Sequence, residues 1–247
     1  MSQSDTAPAA FDLGRRLASE ALGSFALAAT VIGSGVMAER LAQGNDAVAL
    51  LANTGATMAV LYVLIVALGP IGGAHFNPAV TLAMRLRGRL GSAEAAAYVG
   101  VQVPAMVAGA LAAHAMFSLP LIQLSARERS GGALLLAEFV ATFGLLAAIW
   151  LALRFRPQAV AGIVACWIGA AYWFTASTSF ANPAITVARA LSDTFAGIRP
   201  LDAPGFIAAQ IAGAIAATAL CAWLLRPASR PAAGMRQDVA GDETGPV

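Results

Sequence analysis

The stretch His75-Phe76-Asn77-Pro78-Ala79-Val80-Thr81 decides the fold, because the chain carries it twice. Phe180-Ala181-Asn182-Pro183-Ala184-Ile185-Thr186 repeats it in the same register. Each copy reads as a helix start. An Asn side chain at the N-cap accepts a hydrogen bond from an orphan N–H of the first turn. Pro at the first helical position lacks an N–H that has no partner there anyway. The surroundings of the two copies decide what a pair of matching helix starts is for.

Those surroundings are apolar. Hydrophobic residues make up 59 % of the 247 and charged residues 11 %, with a mean hydropathy of +0.73. Soluble domains carry about twice that charged fraction. Six runs, near 17–38, 47–69, 93–117, 131–153, 159–176 and 205–225, reach the roughly 20 residues that a bilayer core requires. The first is too long for a signal peptide and contains Glu20, so it reads as an uncleaved span. The chain is therefore expected to be an all-α membrane protein. A net charge of +2 carries no footprint for nucleic acid. Cys166 and Cys221 form neither a disulfide framework nor a metal-ligand spacing. No catalytic constellation is present, so neither an enzyme nor a cofactor is expected.

All fifteen basic residues are arginine, as in a GC-rich bacterial genome. They also orient the spans. Arg15, Arg16, Arg85, Arg87, Arg89, Arg154, Arg156, Arg226, Arg230 and Arg236 fall on one side of the predicted spans. Arg40, Arg127, Arg129 and Arg199 fall on the other, near acidic residues. Both termini are expected in the cytoplasm of a multi-pass protein in a bacterial inner membrane. The channel region is expected over 13–226, with polar, disordered ends at 1–12 and 227–247.

The chain repeats itself with inverted orientation. Ser19-Glu20-Ala21-Leu22-Gly23-Ser24-Phe25 opens one half and Ala137-Glu138-Phe139-Val140-Ala141-Thr142-Phe143 the other. Gln102 and Gln210 match in the third span of each half. Repeat 1 covers about 13–117 and repeat 2 about 131–226. Three spans per repeat give the halves opposite topology, with function expected at their interface near the midplane. The segment from Asn77 to Arg87 is too short to cross: its eleven residues span about 16 Å, against a core of about 30 Å. Two such half-helices, entering from opposite sides, would meet N-terminus to N-terminus. Their partial positive charges oppose a cation there. With Oδ capping the helix, the amide N–H groups of Asn77 and Asn182 are free to donate into a pore.

These features together resemble the aquaporin, or major intrinsic protein, family over roughly residues 13–226. The resemblance rests on both Asn-Pro-Ala motifs, the Gly-Gly-Ala-His-Phe-Asn-Pro-Ala-Val-Thr context, the two Glu-x-x-x-x-Phe openings and the paired Gln. It implies six transmembrane helices plus two re-entrant half-helices, one pore per subunit, a homotetramer in the lipid bilayer, and passive passage of water or small neutral solutes. It assigns Asn77, Pro78, Ala79, Asn182, Pro183 and Ala184 to the central pore motifs. By offset from the two Asn residues it assigns the selectivity filter to Thr57, Ala170, Ser179 and Ile185.

The chain departs from the family where the filter is set. Arg usually follows the second Asn-Pro-Ala, and Ile185 stands there. Thr57 replaces the common large aromatic, and Ala170 the His of water-selective members. The filter is therefore expected to be wide, uncharged and mostly apolar. It suits neutral solutes larger than water: polyols, urea, and metalloid hydroxides such as arsenite or antimonite, including methylated arsenicals. This filter resembles a bacterial subgroup associated with arsenic handling. An ordinary water and glycerol channel is the first alternative.

Other residues stay open at this point. Arg189, four residues after Ile185, either stands as a displaced charge at the outer mouth or binds loop carbonyls. His75 is either a pore-lining donor or a loop staple. Cys166 is a candidate for the pore wall. Glu20 and Glu138 either hold the re-entrant loops or, as rare intramembrane acids, couple transport to an ion. An ion-coupled secondary transporter, which shares inverted repeats and broken helices, is thus the second alternative.

Overall fold

A computed structural model describes residues 11–226. The expectations for residues 1–10 and 227–247 lie outside the described part. The helices are α1 (Leu13–Leu41), α2 (Asp46–Gly72), α3 (Pro78–Leu86), α4 (Ser92–Met116), α5 (Gly132–Phe155), α6 (Val160–Phe174), α7 (Pro183–Ala190) and α8 (Ala203–Leu224). A short 3₁₀ turn, Pro157–Ala159, leads into α6. Six helices, counting that turn with α6, are long and apolar enough to cross a membrane. The two that are not, α3 and α7, are the half-helices. At 9 and 8 residues they span about 13 and 12 Å.

Local chemistry sets the ends. Asp12 caps α1 by accepting from Arg15 N, and Asn45 caps α2 by accepting from Ala47 N and Val48 N. Gly73, in the left-handed region at φ 89°, stops α2 and turns the chain back into the bundle.

The two repeats pack by the same device. α1 crosses α4 at Gly109, where an added Cβ would run into the Phe25 carbonyl oxygen. α5 crosses α8, its counterpart, at Gly213, where a Cβ would meet the Phe139 carbonyl oxygen. Small residues let helix backbones approach where lipid supplies no hydrophobic drive between helices. The burial pattern is inverted relative to a soluble protein. Leu51, Val63, Leu136 and Trp223 point outward, while Glu20, Gln102, Glu138 and Gln210 are fully enclosed. Lipid accepts the first group, and the bundle interior must satisfy the second.

Candidate functional site

Each half-helix follows a re-entrant loop, and the two loops share one backbone shape. Gly73, Ala74 and Phe76 are left-handed, at φ 89°, 51° and 45°. Their repeat equivalents Thr178, Ser179 and Ala181 are left-handed too, at 61°, 50° and 48°. Non-Gly residues rarely adopt this region, and such strain persists only when the surroundings over-determine it. Here two carboxylates do so. Glu20 accepts from His75 N and Phe76 N at 2.8 Å each, and from Gln102 Nε2 at 2.9 Å. Glu138 accepts from Phe180 N and Ala181 N at 2.9 Å each, and from Gln210 Nε2 at 2.7 Å. Gln102 and Gln210 also donate to Thr81 and Thr186, on the half-helices.

The shoulders of the loops are pinned by residues that are not repeat equivalents. Tyr98 Oη donates to Gly72 O at 2.9 Å, and Arg129 Nη1 donates to Ser177 O at 3.1 Å. Gly72 and Ser177 occupy matching positions, five residues before Asn77 and Asn182. The extramembrane segment before α5 therefore supplies at one end what α4 supplies at the other.

Asn77 and Asn182 cap their half-helices: Asn77 Oδ1 accepts from Ala79 N, and Asn182 Oδ1 from Ala184 N, both at 2.9 Å. Their amides are not wholly free, as the sequence led us to expect. Asn77 Nδ2 donates to Ala181 O and Asn182 Nδ2 to Phe76 O, each at 2.8 Å. An amide has two N–H groups, so one per Asn remains for the cavity. The other clips the two loops together. Pro78, Ala79, Pro183 and Ala184 begin the half-helices at this junction.

A cavity lies inside the bundle beside this junction. Its wall includes Asn77, Asn182 and His75. Thr57, Ser179 and Ile185 lie on it, and Ala170 does not. α6 meets the cavity with Val160, Val164, Ile168 and Tyr172, a run of four-residue steps along one helix face. Ala170 and Cys166 are exposed on another face of α6, which corrects both expectations. Tyr172, on the cavity face of α6, shares a 3.3 Å hydrogen bond through its hydroxyl with Thr57 Oγ1.

The cavity wall as a whole is not uncharged. Arg189 lines the cavity and is only 3 % exposed. Its Nε donates to the loop carbonyl of Ala196, as the second reading of this residue expected. Its Cζ lies 3.3 Å from the centroid of the Phe180 ring, and Arg129 Cζ lies 5.0 Å from the same centroid. His75 likewise combines two roles. It lines the cavity, its N–H is held by Glu20, and Nδ1 hydrogen-bonds Thr81 Oγ1 at 3.1 Å. Glu20 and Glu138 are fully buried and are not on the cavity wall. Sequence reasoning missed Tyr172, Phe180 and Arg129. The hydroxyl of Tyr172 was the readable signal, whereas Arg129 meets Phe180 only through tertiary structure.

Comparison with known proteins agrees with this architecture. The family model described as Major intrinsic protein matches residues 9–178, ending just before the second Asn-Pro-Ala. The chain is 54 % identical over 218 residues to aquaglyceroporin AqpS of Rhizobium meliloti, covering 88 % of this chain and 93 % of that one. It is 34 % identical over 158 residues to human aquaporin-9, covering 62 % of this chain and 51 % of that protein. The aquaglyceroporin structure from Plasmodium falciparum superposes with a TM-score of 0.70 at 16 % identity, covering 85 % of this chain and 95 % of that one. By family model, relative and fold together, the chain belongs to the major intrinsic protein family and is a multi-pass membrane channel for small solutes.

Proposed function

We propose that the cavity passes small neutral solutes down their gradients: glycerol and other polyols, urea, some water, and undissociated metalloid hydroxides such as arsenite and antimonite with their methylated forms. One observation carries the reading. Among the described residues, the cavity wall carries the polar side chains of Asn77, Asn182, His75, Thr57, Ser179, Tyr172 and Arg189 within a mostly apolar lining, with no carboxylate on it. A neutral molecule with hydroxyls can exchange water for these donors while its carbon face meets Leu61, Ile65, Leu145 and Ile149. A cation meets a guanidinium and the N-termini of two half-helices, which disfavour it.

The aromatic ring of Tyr172 together with Arg189 favours a filter of the glycerol-conducting kind over a wide, uncharged one. The similarity to a relative named aquaglyceroporin points the same way. The burial of Glu20 and Glu138 behind the loops supports a channel over an ion-coupled transporter, since both carboxylates are committed to backbone N–H groups. We further propose a homotetramer with one path per subunit, in a bacterial inner membrane. The arginine asymmetry supports cytoplasmic termini.

A stopped-flow panel of water, glycerol, urea and arsenite in proteoliposomes tests this. Expected is solute entry without any ion gradient, with glycerol and arsenite faster than in protein-free vesicles. A requirement for a proton or sodium gradient would overturn the channel reading. Permeability equal to that of protein-free vesicles would leave a structural protein with a vestigial pore.

A further inference from the structure

We infer that the Arg189 end of the cavity is also a binding site for a small monovalent oxyanion, of the size of a short carboxylate, and that its occupancy closes the path to neutral solutes. The site stands on the geometry; the closure rests on the channel reading above.

The starting observation is a pair of buried cations that share one buried carboxylate, Glu138, at a distance and make no direct ion pair. Arg189 is 3 % exposed and Arg129 9 %. Among the described residues, the ion pairs engage Arg15, Arg16 and Arg199, and none engages Arg129 or Arg189. Carbonyl oxygens take part of their donor capacity: Ala196 O from Arg189, Gly197 O and Ser177 O from Arg129. Both guanidinium groups then lie against the one Phe180 ring. Buried charges in proteins are ordinarily paired. The nearby carboxylates are already committed. Asp202 accepts from Arg129 N and from Arg199, Glu128 accepts from Arg199, and Glu138 accepts from the re-entrant loop.

Further donors lie on the same cavity wall as Arg189. Ser179 Oγ is buried, lies on the cavity wall and has no hydrogen-bond partner. Tyr172 Oη, on the same wall, is held only by the 3.3 Å contact with Thr57. The unused N–H groups of Arg189 form a planar fork, the geometry that matches a carboxylate. A neutral solute satisfies these hydrogen bonds but leaves two buried cations against the one carboxylate of Glu138. A small oxyanion satisfies both.

Formate is the probe, with gluconate as a bulky anion at matched ionic strength. Both are used at about pH 7.5, far above the pKa of a carboxylic acid. The purified full chain is melted in detergent across a formate series. Glycerol flux is measured in proteoliposomes with formate equal on both sides. Expected are a saturable rise in melting temperature and a saturable loss of glycerol flux, at the same half-point, with formate but not gluconate. Arg189→Met should abolish both responses, and Tyr172→Phe and Ser179→Ala should move the half-point to higher formate. Equal responses to formate and gluconate would overturn the proposal, as would an undiminished response in Arg189→Met. If Arg189→Met fails to fold, unchanged half-points in both of the other variants would overturn it. Glycerol flux without any formate response removes the anion site and leaves the channel. A formate-dependent melting shift without any neutral flux keeps the site and removes the channel reading.

Discussion

Replacing Glu138 by Gln exchanges one carboxylate oxygen for an amide NH₂ and tests how the second re-entrant loop is held. The carboxylate accepts three hydrogen bonds, from Phe180 N and Ala181 N at 2.9 Å and from Gln210 Nε2 at 2.7 Å. Gln retains one oxygen, and its amide meets at least one of these donors head-on. A buried donor left without a partner costs about 1–3 kcal/mol, and each remaining bond loses about 1 kcal/mol with the charge. The sum is about 3–5 kcal/mol at a side chain that is fully buried, so water cannot replace the lost partner. The loop holds Thr178, Ser179 and Ala181 at φ 61°, 50° and 48°, and such residues cost about 1 kcal/mol or more each. The lost bonding is therefore comparable with the strain it contains, and the loop should relax away from the cavity. A thermal scan in detergent should show a lower midpoint, and stopped-flow uptake should show reduced glycerol flux at equal insertion. Glu20→Gln should behave alike, because it breaks the equivalent bonds to His75 N, Phe76 N and Gln102. Native stability and flux in both variants would refute the clamp. A variant that keeps passive flux but loses a gradient dependence would instead give the glutamates a coupling role.

Three further outcomes follow from the same geometry. Ile185→Arg places a second guanidinium one turn from Arg189, about 6 Å along the same helix face, and should reduce glycerol and urea flux more than water flux; an unchanged solute-to-water ratio would remove Ile185 from the constriction. Asn182→Asp keeps the helix cap but loses the bond to Phe76 O and sets a negative charge against the half-helix N-termini, so a cation leak should appear in a dye-loaded vesicle assay; an inserted variant without leak would refute the electrostatic account. Gly109→Ala drives a methyl into the backbone oxygen of Phe25, which no rotamer change relieves, and should cost about 1–3 kcal/mol in a thermal scan. Gly100→Ala, on the same helix with open space at its Cβ, is the control, and equal effects would refute the crossing argument.

How much of this was readable depended on how far each constraint acts along the chain. Asn-Pro at a helix start, the Glu at each repeat opening and the lengths of the half-helices are local, and they sufficed for the fold and the paired loops. The inward face of α6 was not local. Counting twelve residues back from Asn182 to Ala170 crosses 175–182, where the chain is not helical and no fixed rotation per residue applies. α6 itself has apolar side chains all round, with Ile163, Val164, Trp167 and Ile168 adjacent, so no polar stripe sets its phase. The polar groups at its C-terminal end are the Tyr172 hydroxyl and the Trp173 indole, and the step of four from Val160 through Ile168 leads to Tyr172. Arg189 was within reach of the same reasoning, since one turn after Ile185 keeps it on that face. A constriction is defined by which face of each helix points inward, not by which letter follows a motif. Here an arginine one turn further out and a tyrosine two residues further on bring a guanidinium and an aromatic ring to the cavity wall. They do so even though Ile185 and Ala170, read letter by letter, would leave it with neither.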